Sequence, residues 1–143
     1  MPAAGSLATL AGLAALCGTA PLEILLTNDD GVDAVGVRTL RAQLQAAGHR
    51  VTLAAPDRNA SGSGMSFTWG NVRVLRDPQD ASVFAIGGSP ATTVVLAATA
   101  LYPAGRRPDL VISGINHGPN AGSLLMLSGT VGAALAGTLL LDP

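Results

Sequence analysis

The chain has 143 residues, of which 48% are hydrophobic and 12% charged, with a formal net charge of −1. That balance excludes an intrinsically disordered chain, and it lacks the basic excess with which nucleic-acid binders neutralise phosphates. One cysteine, Cys17, excludes an internal disulfide framework and a multi-cysteine zinc site, and 3% aromatic residues exclude a stacking platform for single-stranded nucleic acid.

Met1–Ala20 carries no charged side chain, and Leu7–Cys17 is nearly all Ala, Leu and Gly. The length suits the apolar part of a signal peptide and falls short of a stable membrane span. No Lys or Arg precedes it, however, and cleavage after Ala20 would leave Pro21 first. The segment reads as an apolar leader or a disordered extension, with the folded domain over 21–143. If 1–20 act as a signal peptide the protein is exported, to the periplasm or beyond; otherwise it is cytoplasmic.

From Pro21 onward strand and helix patterns alternate. Leu22–Thr27 is a short apolar run ending in the turn residues Asn28-Asp29-Asp30-Gly31, which predicts a buried strand. Val37, Leu40, Leu44 and Ala47 recur at helical spacing until Gly48 stops the helix. Arg50–Ala55 is a second strand closed by Pro56, and residues 57–66 form a polar, glycine-containing loop. Val72–Arg76 and Ser82–Ile86 predict two further strands around the turn residues Asp77-Pro78. Pro90–Leu101 suits a helix with proline near its first turn. Leu110–Ser113 is another apolar strand, Gly114–Gly129 a long loop, and Thr130–Leu140 an Ala/Leu-rich helix. Such units build an α/β fold: three layers, Rossmann-like, with a mostly parallel sheet between helices. Polar loops follow the strands at their C-terminal ends, where open α/β sheets bind ligands.

Three of these loops carry candidate chemistry. Asp29 and Asp30 are adjacent carboxylates at a strand end; a divalent cation would relieve their repulsion, while an Asx turn would explain the Asp-Gly pair without one. No Gly-x-Gly-x-x-Gly follows this strand, which argues against a nicotinamide or flavin enzyme. The second loop, Ala55–Gly64, offers hydroxyls, amides and glycine backbone that can approach a phosphate, or else a flexible linker. The third, Ser113–Gly122, is similar, and Ser128-Gly129-Thr130 precedes a helix whose N-terminus suits an anion or simple capping. Carboxylate, hydroxyl and amide oxygens form a hard set that favours Mg²⁺, Mn²⁺ or Ca²⁺ over zinc. Of the two histidines, His49 reads as a surface residue and His117, in the third loop, as a solvated residue or a substrate contact.

Four motifs in order resemble the SurE family: Ile24–Gly31; Ala55–Asn59 with Ser61-Gly62; Ser113–Asn116 with Gly118-Pro119-Asn120; and Ser128-Gly129-Thr130-Val131. The likeness runs from about Leu22 to the end of the chain. It implies a divalent-metal-dependent 5′/3′-nucleotidase, acid-phosphatase-like in breadth, that removes phosphate from nucleoside monophosphates. It further implies metal ligands at Asp29, Asp30, Ser61 and Asn116, of which Asp29 and Asp30 are also catalytic, with Asp29 as ligand, base or nucleophile. Phosphate and substrate contacts fall at Asn120, Ser128, Gly129 and Thr130. Three positions depart from the family pattern: Thr92 stands where an acidic residue is common, Ser123 where an Asp is, and Leu127 where an aromatic is. Full-length members are longer at the C-terminal end and assemble into homo-oligomers through an exchanged arm. The expected function is therefore metal-dependent phosphomonoester hydrolysis; the alternatives are a non-catalytic truncated fragment, or a metal- and phosphate-binding domain without turnover.

Overall fold

The computed structural model describes residues 20–141. The leader reading of 1–20 therefore falls, but for Ala20, outside the described residues, as do the last two residues of the expected domain.

Five strands form one sheet in the order β3-β4-β2-β1-β5: β1 (Glu23–Thr27), β2 (Arg50–Pro56), β3 (Val74–Arg76), β4 (Val83–Ile86) and β5 (Leu110–Ser113). β1 runs parallel to both β2 and β5, and β2 parallel to β4; only β3 is antiparallel, against β4. The antiparallel pair follows from its short connection, where the Asp77 carboxylate accepts from the backbone N–H groups of Gln79 and Asp80 at 2.8 and 3.2 Å. A parallel pair would need a crossover.

Strand alternation sorts the apolar side chains into two cores, one on each face. Ile24, Leu26, Val51, Leu53 and Val83 pack beneath helix α1 (Val35–Ala46), which contributes Val37, Leu40 and Leu44. Leu25, Ala54 and Ile86 face the other way, toward α2 (Pro90–Leu96) and α3 (Gly129–Leu141), with Ala91, Val94, Ala133 and Ala136 between them. The result is the expected three-layer, mostly parallel α/β sandwich. Gly48, at φ +93°, ends α1 in a conformation that costs a side chain strain.

Two expected elements differ. The helix expected over Pro90–Leu101 is α-helical only to Leu96, and Ala97–Leu101 widens into a π-turn. There the Thr99 hydroxyl donates to the Val95 carbonyl at 2.7 Å, competing with the backbone for that acceptor, and Pro103 soon follows. The loop expected over Gly114–Gly129 contains a 3₁₀ turn at Gly122–Leu127, and α3 starts one residue early, at Gly129.

Helix α3 comes close to its neighbours because small residues line its inner side. A Cβ placed on Gly132 would lie 2.2 Å from the Gly64 carbonyl oxygen, and one on Gly137 would lie 2.8 Å from the Val111 side chain. This close seating brings the start of α3 to the end of β1.

Candidate functional site

The end of β1 supplies the centre of the site. Asn28 is fully buried and its amide clamps the turn: its Oδ1 accepts from Gly31 N–H at 3.2 Å, and its Nδ2 donates to the Gly31 carbonyl at 3.0 Å. Gly31 takes φ +111°, which closes that turn. The Asx turn weighed from sequence therefore exists, but Asn28 makes it, which leaves both aspartates free of turn duty.

Asp29 is only 3% exposed. Its Oδ1 accepts from the Thr130 hydroxyl at 2.6 Å, and its main-chain carbonyl accepts from Ala60 N–H at 2.7 Å. Among the described residues no Arg or His forms an ion pair with Asp29 or Asp30; the five pairs use Glu23, Asp33, Asp57 and Asp80. A buried carboxylate without a cation is costly unless something positive faces it. The positive end of the α3 dipole supplies part of that. A Cβ on Gly129 would lie 2.7 Å from the Asp29 Cβ and 2.9 Å from its Oδ2, so only glycine lets the helix start sit this close.

Asp30 turns to the other side. Its Oδ2 accepts from His117 N–H at 2.9 Å, which pins the third loop to the first. Asp30, Asn59, Asn116 and His117 line a pocket of about 440 Å³ floored by Gly36 and Ile115. Asn116 uses its Nδ2 on the Gly118 carbonyl at 3.1 Å, which leaves its Oδ1 available to a ligand.

The expected site residues therefore fall into two adjoining groups that share the Asp29–Asp30 peptide. Asp29, Gly129 and Thr130 meet on one side; Asp30 and Asn116 meet on the other. Ser128 is buried and caps α3, accepting from Val131 N–H at 3.1 Å. Ser61 and Asn120 lie exposed on their loops, and among the described residues neither hydrogen-bonds to another candidate. Ser61 N–H donates to Asn59 Oδ1 at 2.9 Å. His117 reaches Asp30 through its backbone, and its side chain lines the pocket, whereas His49 is half-buried and accepts from Leu22 N–H through Nδ1 at 3.3 Å.

Sequence reasoning passed over Ser63. Its Oγ is buried without a hydrogen-bond partner among the described residues and lies 2.7 Å from where a Gly129 Cβ would stand. An orphaned buried hydroxyl beside a buried carboxylate and a helix N-terminus is an unfilled polar position. Asn59 was also unselected, although it lies in a recognised motif and lines the Asp30 pocket. Thr92, at a position where an acidic residue is common, accepts from Thr68 N–H at 2.7 Å and braces the segment that follows the second loop against α2.

Among the described residues no three His, Cys, Asp or Glu side chains converge, so a cation here would need the Ser and Asn oxygens as well. No described helix is long and apolar enough to cross a membrane. A larger cavity of about 720 Å³ lies elsewhere, between Thr99 and Asp109, away from every candidate residue.

Comparison with known proteins identifies the family. A family model described as "Survival protein SurE" matches residues 24–142. The 5′-nucleotidase SurE of Synechococcus sp. (strain CC9311) is 47% identical over 124 residues, covering 83% of this chain and 46% of that protein. Its namesake from Prochlorococcus marinus (strain MIT 9211) is 44% identical over 124 residues, covering 83% and 45%. The crystal structure of the SurE protein from Aquifex aeolicus superposes with a TM-score of 0.75 at 40% identity, covering 82% of this chain and 47% of that one. The chain thus spans about half the length of the curated relatives it matches. The match covers all four motifs and every residue of the sheet but Glu23, and the chain belongs to the SurE family.

Proposed function

We propose that this chain carries the phosphate-cleaving centre of a metal-dependent 5′/3′-nucleotidase, acting on nucleoside monophosphates. One observation carries the reading: Asp29 is buried, has no cationic partner among the described residues, and sits against the N-terminus of α3. A site that holds a carboxylate there needs a cation, and a helix start beside it suits an anion. Asp29 would hold a cation on one side, and the start of α3 would take a phosphoryl group on the other, which meets both demands.

Asp29, Asp30, Ser61 and Asn116 would hold the cation, with Mg²⁺ or Mn²⁺ favoured and Ca²⁺ possible. The fit rests on the donors: two carboxylates, a hydroxyl, and an amide whose Oδ1 is uncommitted, all hard oxygens. When bound, such a cation polarises a phosphoryl oxygen and lowers the pKa of a coordinated water. The chain's own residues do the rest. Thr130 fixes the Asp29 carboxylate through its 2.6 Å hydrogen bond, and His117 N–H fixes Asp30. The first N–H groups of α3, at Gly129 and Thr130, would receive the phosphate, where preorganised donors stabilise charge that grows in the transition state. Ser128 holds that helix start in place as its cap, and Asn120 would close over the substrate from the third loop.

The test is hydrolysis of p-nitrophenyl phosphate, AMP and GMP with Mg²⁺ or Mn²⁺ titrated in, alongside calorimetric metal binding. The parent is expected to turn over in a metal-dependent way. Asp30→Asn is expected to lose both turnover and metal binding while keeping its circular dichroism. Parent-like hydrolysis by Asp30→Asn would overturn the metal assignment, and metal binding without turnover in the parent would favour a binding domain over an enzyme.

A further inference from the structure

The chain has four aromatic residues, and two of them stand together in the open. Phe67 and Trp69 are 43% and 85% exposed, with ring centroids 5.1 Å apart at 60°. Tryptophan carries more apolar area than any other side chain, so leaving this one in water forgoes a large burial gain. The backbone beneath them is firmly anchored. Ser89 Oγ donates to the Ser66 carbonyl at 2.6 Å, Thr68 N–H donates to Thr92 Oγ1 at 2.7 Å, and Ser89 N–H donates to Thr68 Oγ1 at 3.0 Å. Thr68 points inward, and its two aromatic neighbours project outward over a shallow cavity of about 260 Å³ walled by Thr92, Val95 and Leu96.

The same loop also reaches the phosphate site. Ser63 lies against Gly129 beside Asp29, and four residues later comes Phe67, no more than about 14 Å along even a fully extended chain. One rigid loop thus joins the proposed phosphate centre to an exposed aromatic pair. The segment that carries the pair holds no Lys or Arg between Arg58 and Arg73, and Arg73 is paired with Asp57 at 2.7 Å. That suits one neutral ring rather than a polynucleotide strand, which needs cations along its backbone.

We infer that Phe67 and Trp69 form the nucleobase subsite, with the base of a mononucleotide stacked on the Trp69 indole while its phosphate lies at the start of α3. This rests on the nucleotidase reading above and adds to it a residue-level source of selectivity for nucleotides over other phosphomonoesters.

Trp69 is the only tryptophan, so the intact chain reports on itself. Titration with adenosine or AMP in Mg²⁺ is expected to quench its fluorescence saturably, whereas ribose 5-phosphate is expected to leave it unchanged. In Trp69→Ala the ratio of kcat/KM for AMP to that for ribose 5-phosphate is expected to fall about tenfold, through KM. Trp69→Phe, which keeps an aromatic face, is expected to retain most of the ratio. Equal quenching by ribose 5-phosphate, an unmoved ratio, or a fluorescence change that tracks protein concentration alone would overturn the subsite. If neither phosphoester is hydrolysed the nucleotidase reading falls, and the adenosine titration still decides the stacking.

Discussion

Gly132→Ala sets two opposed effects against each other within one methyl group. Gly132 is the fourth residue of α3, and its N–H donates to the Ser128 carbonyl at 2.9 Å. Helix propensity favours alanine there by about 1 kcal/mol. Packing opposes it: the new Cβ would stand 2.2 Å from the Gly64 carbonyl oxygen, 2.6 Å from its carbon and 2.8 Å from Met65 N. These are backbone atoms, so no side-chain rotation can relieve the contact. The loop they belong to is tied down by the 2.9 Å hydrogen bond from Gly64 N–H to the Leu127 carbonyl. Moving helix and loop apart by roughly 1 Å costs about 1–3 kcal/mol as overpacking. Straining that hydrogen bond costs about 1 kcal/mol more.

Packing therefore outweighs propensity, with an expected net loss of about 1–3 kcal/mol, each kcal/mol lowering Tm by roughly 4 °C for a domain of this size. Urea denaturation followed by circular dichroism reads this directly. Thr138→Ala, at an exposed position of the same helix, is the control and is expected to gain roughly 0.5 kcal/mol, because it loses only an exposed 3.3 Å hydrogen bond to the Ala134 carbonyl, a kind of back-bonding that does not favour a helix. A Gly132→Ala protein as stable as its parent would refute the close seating of α3 on the second loop. The juxtaposition of Gly129 with Asp29 would fall with it.

Two further substitutions probe other parts of the structure. Thr130→Val removes the hydroxyl that donates to the buried Asp29 carboxylate and should destabilise the metal-free chain by about 1.5–3 kcal/mol. Saturating Mg²⁺ should recover part of that loss, and an unchanged urea midpoint without metal would refute the hydrogen bond. Asp80 has its carboxyl held at about 2, first by its side-chain and backbone hydrogen bonds from Ser82 and then by Arg41. A lowered acid pKa adds stability that is complete above the unfolded value near 3.8 and is lost as pH falls through about 2. Asp80→Asn should flatten that acid limb between about pH 4 and 2. The effect should stay below about 1 kcal/mol because the group is partly exposed and screened; an unchanged limb in acid titration would refute the assignment.

Much of this was legible from the sequence. The strands at Leu22–Thr27, Arg50–Ala55 and Leu110–Ser113 announce themselves as apolar runs closed by turn residues, and the structure agrees within a residue or two. Gly48 was readable as a stop because positive φ is a property of the residue itself. The π-turn at Ala97–Leu101 was not, because its apolar pattern is that of an ordinary helix and the Thr99 hydroxyl that competes for the Val95 carbonyl leaves no mark on that pattern. Nor was the burial of Ser63 beside Asp29, which depends on the close approach of α3 at Gly129, 66 residues later, and not on the glycine-rich stretch that holds it. Thr92 reads from sequence as a lost acid; in the structure it is a hydroxyl that supports a loop.

The assembly of the site follows from register, which no single motif contains. Thr27 of β1 pairs with Ser113 of β5, so residues equally far beyond each strand end emerge at the same level. Asp30 and Asn116 are each three residues past that pair, and they line the same pocket. Leu26 pairs with Leu53, which sets Asp29 level with Pro56, the end of β2, and the second loop rises from there to bring Ala60 N–H onto the Asp29 carbonyl. Because these three strands are parallel, all three loops leave in one direction, and α3 returns its N-terminus to the same edge. A one-residue slip of β5 against β1 would turn Val111 from the core it shares with α3 to the opposite face and would separate Asn116 from Asp30. The apolar contacts that fix the register, Leu25 and Val111 on one face and Leu26 and Ile112 on the other, thereby also fix the spacing of the oxygen donors. The core and the site are two consequences of one pairing, so on the proposed reading substitutions deep in β5 should alter metal affinity without touching a proposed ligand.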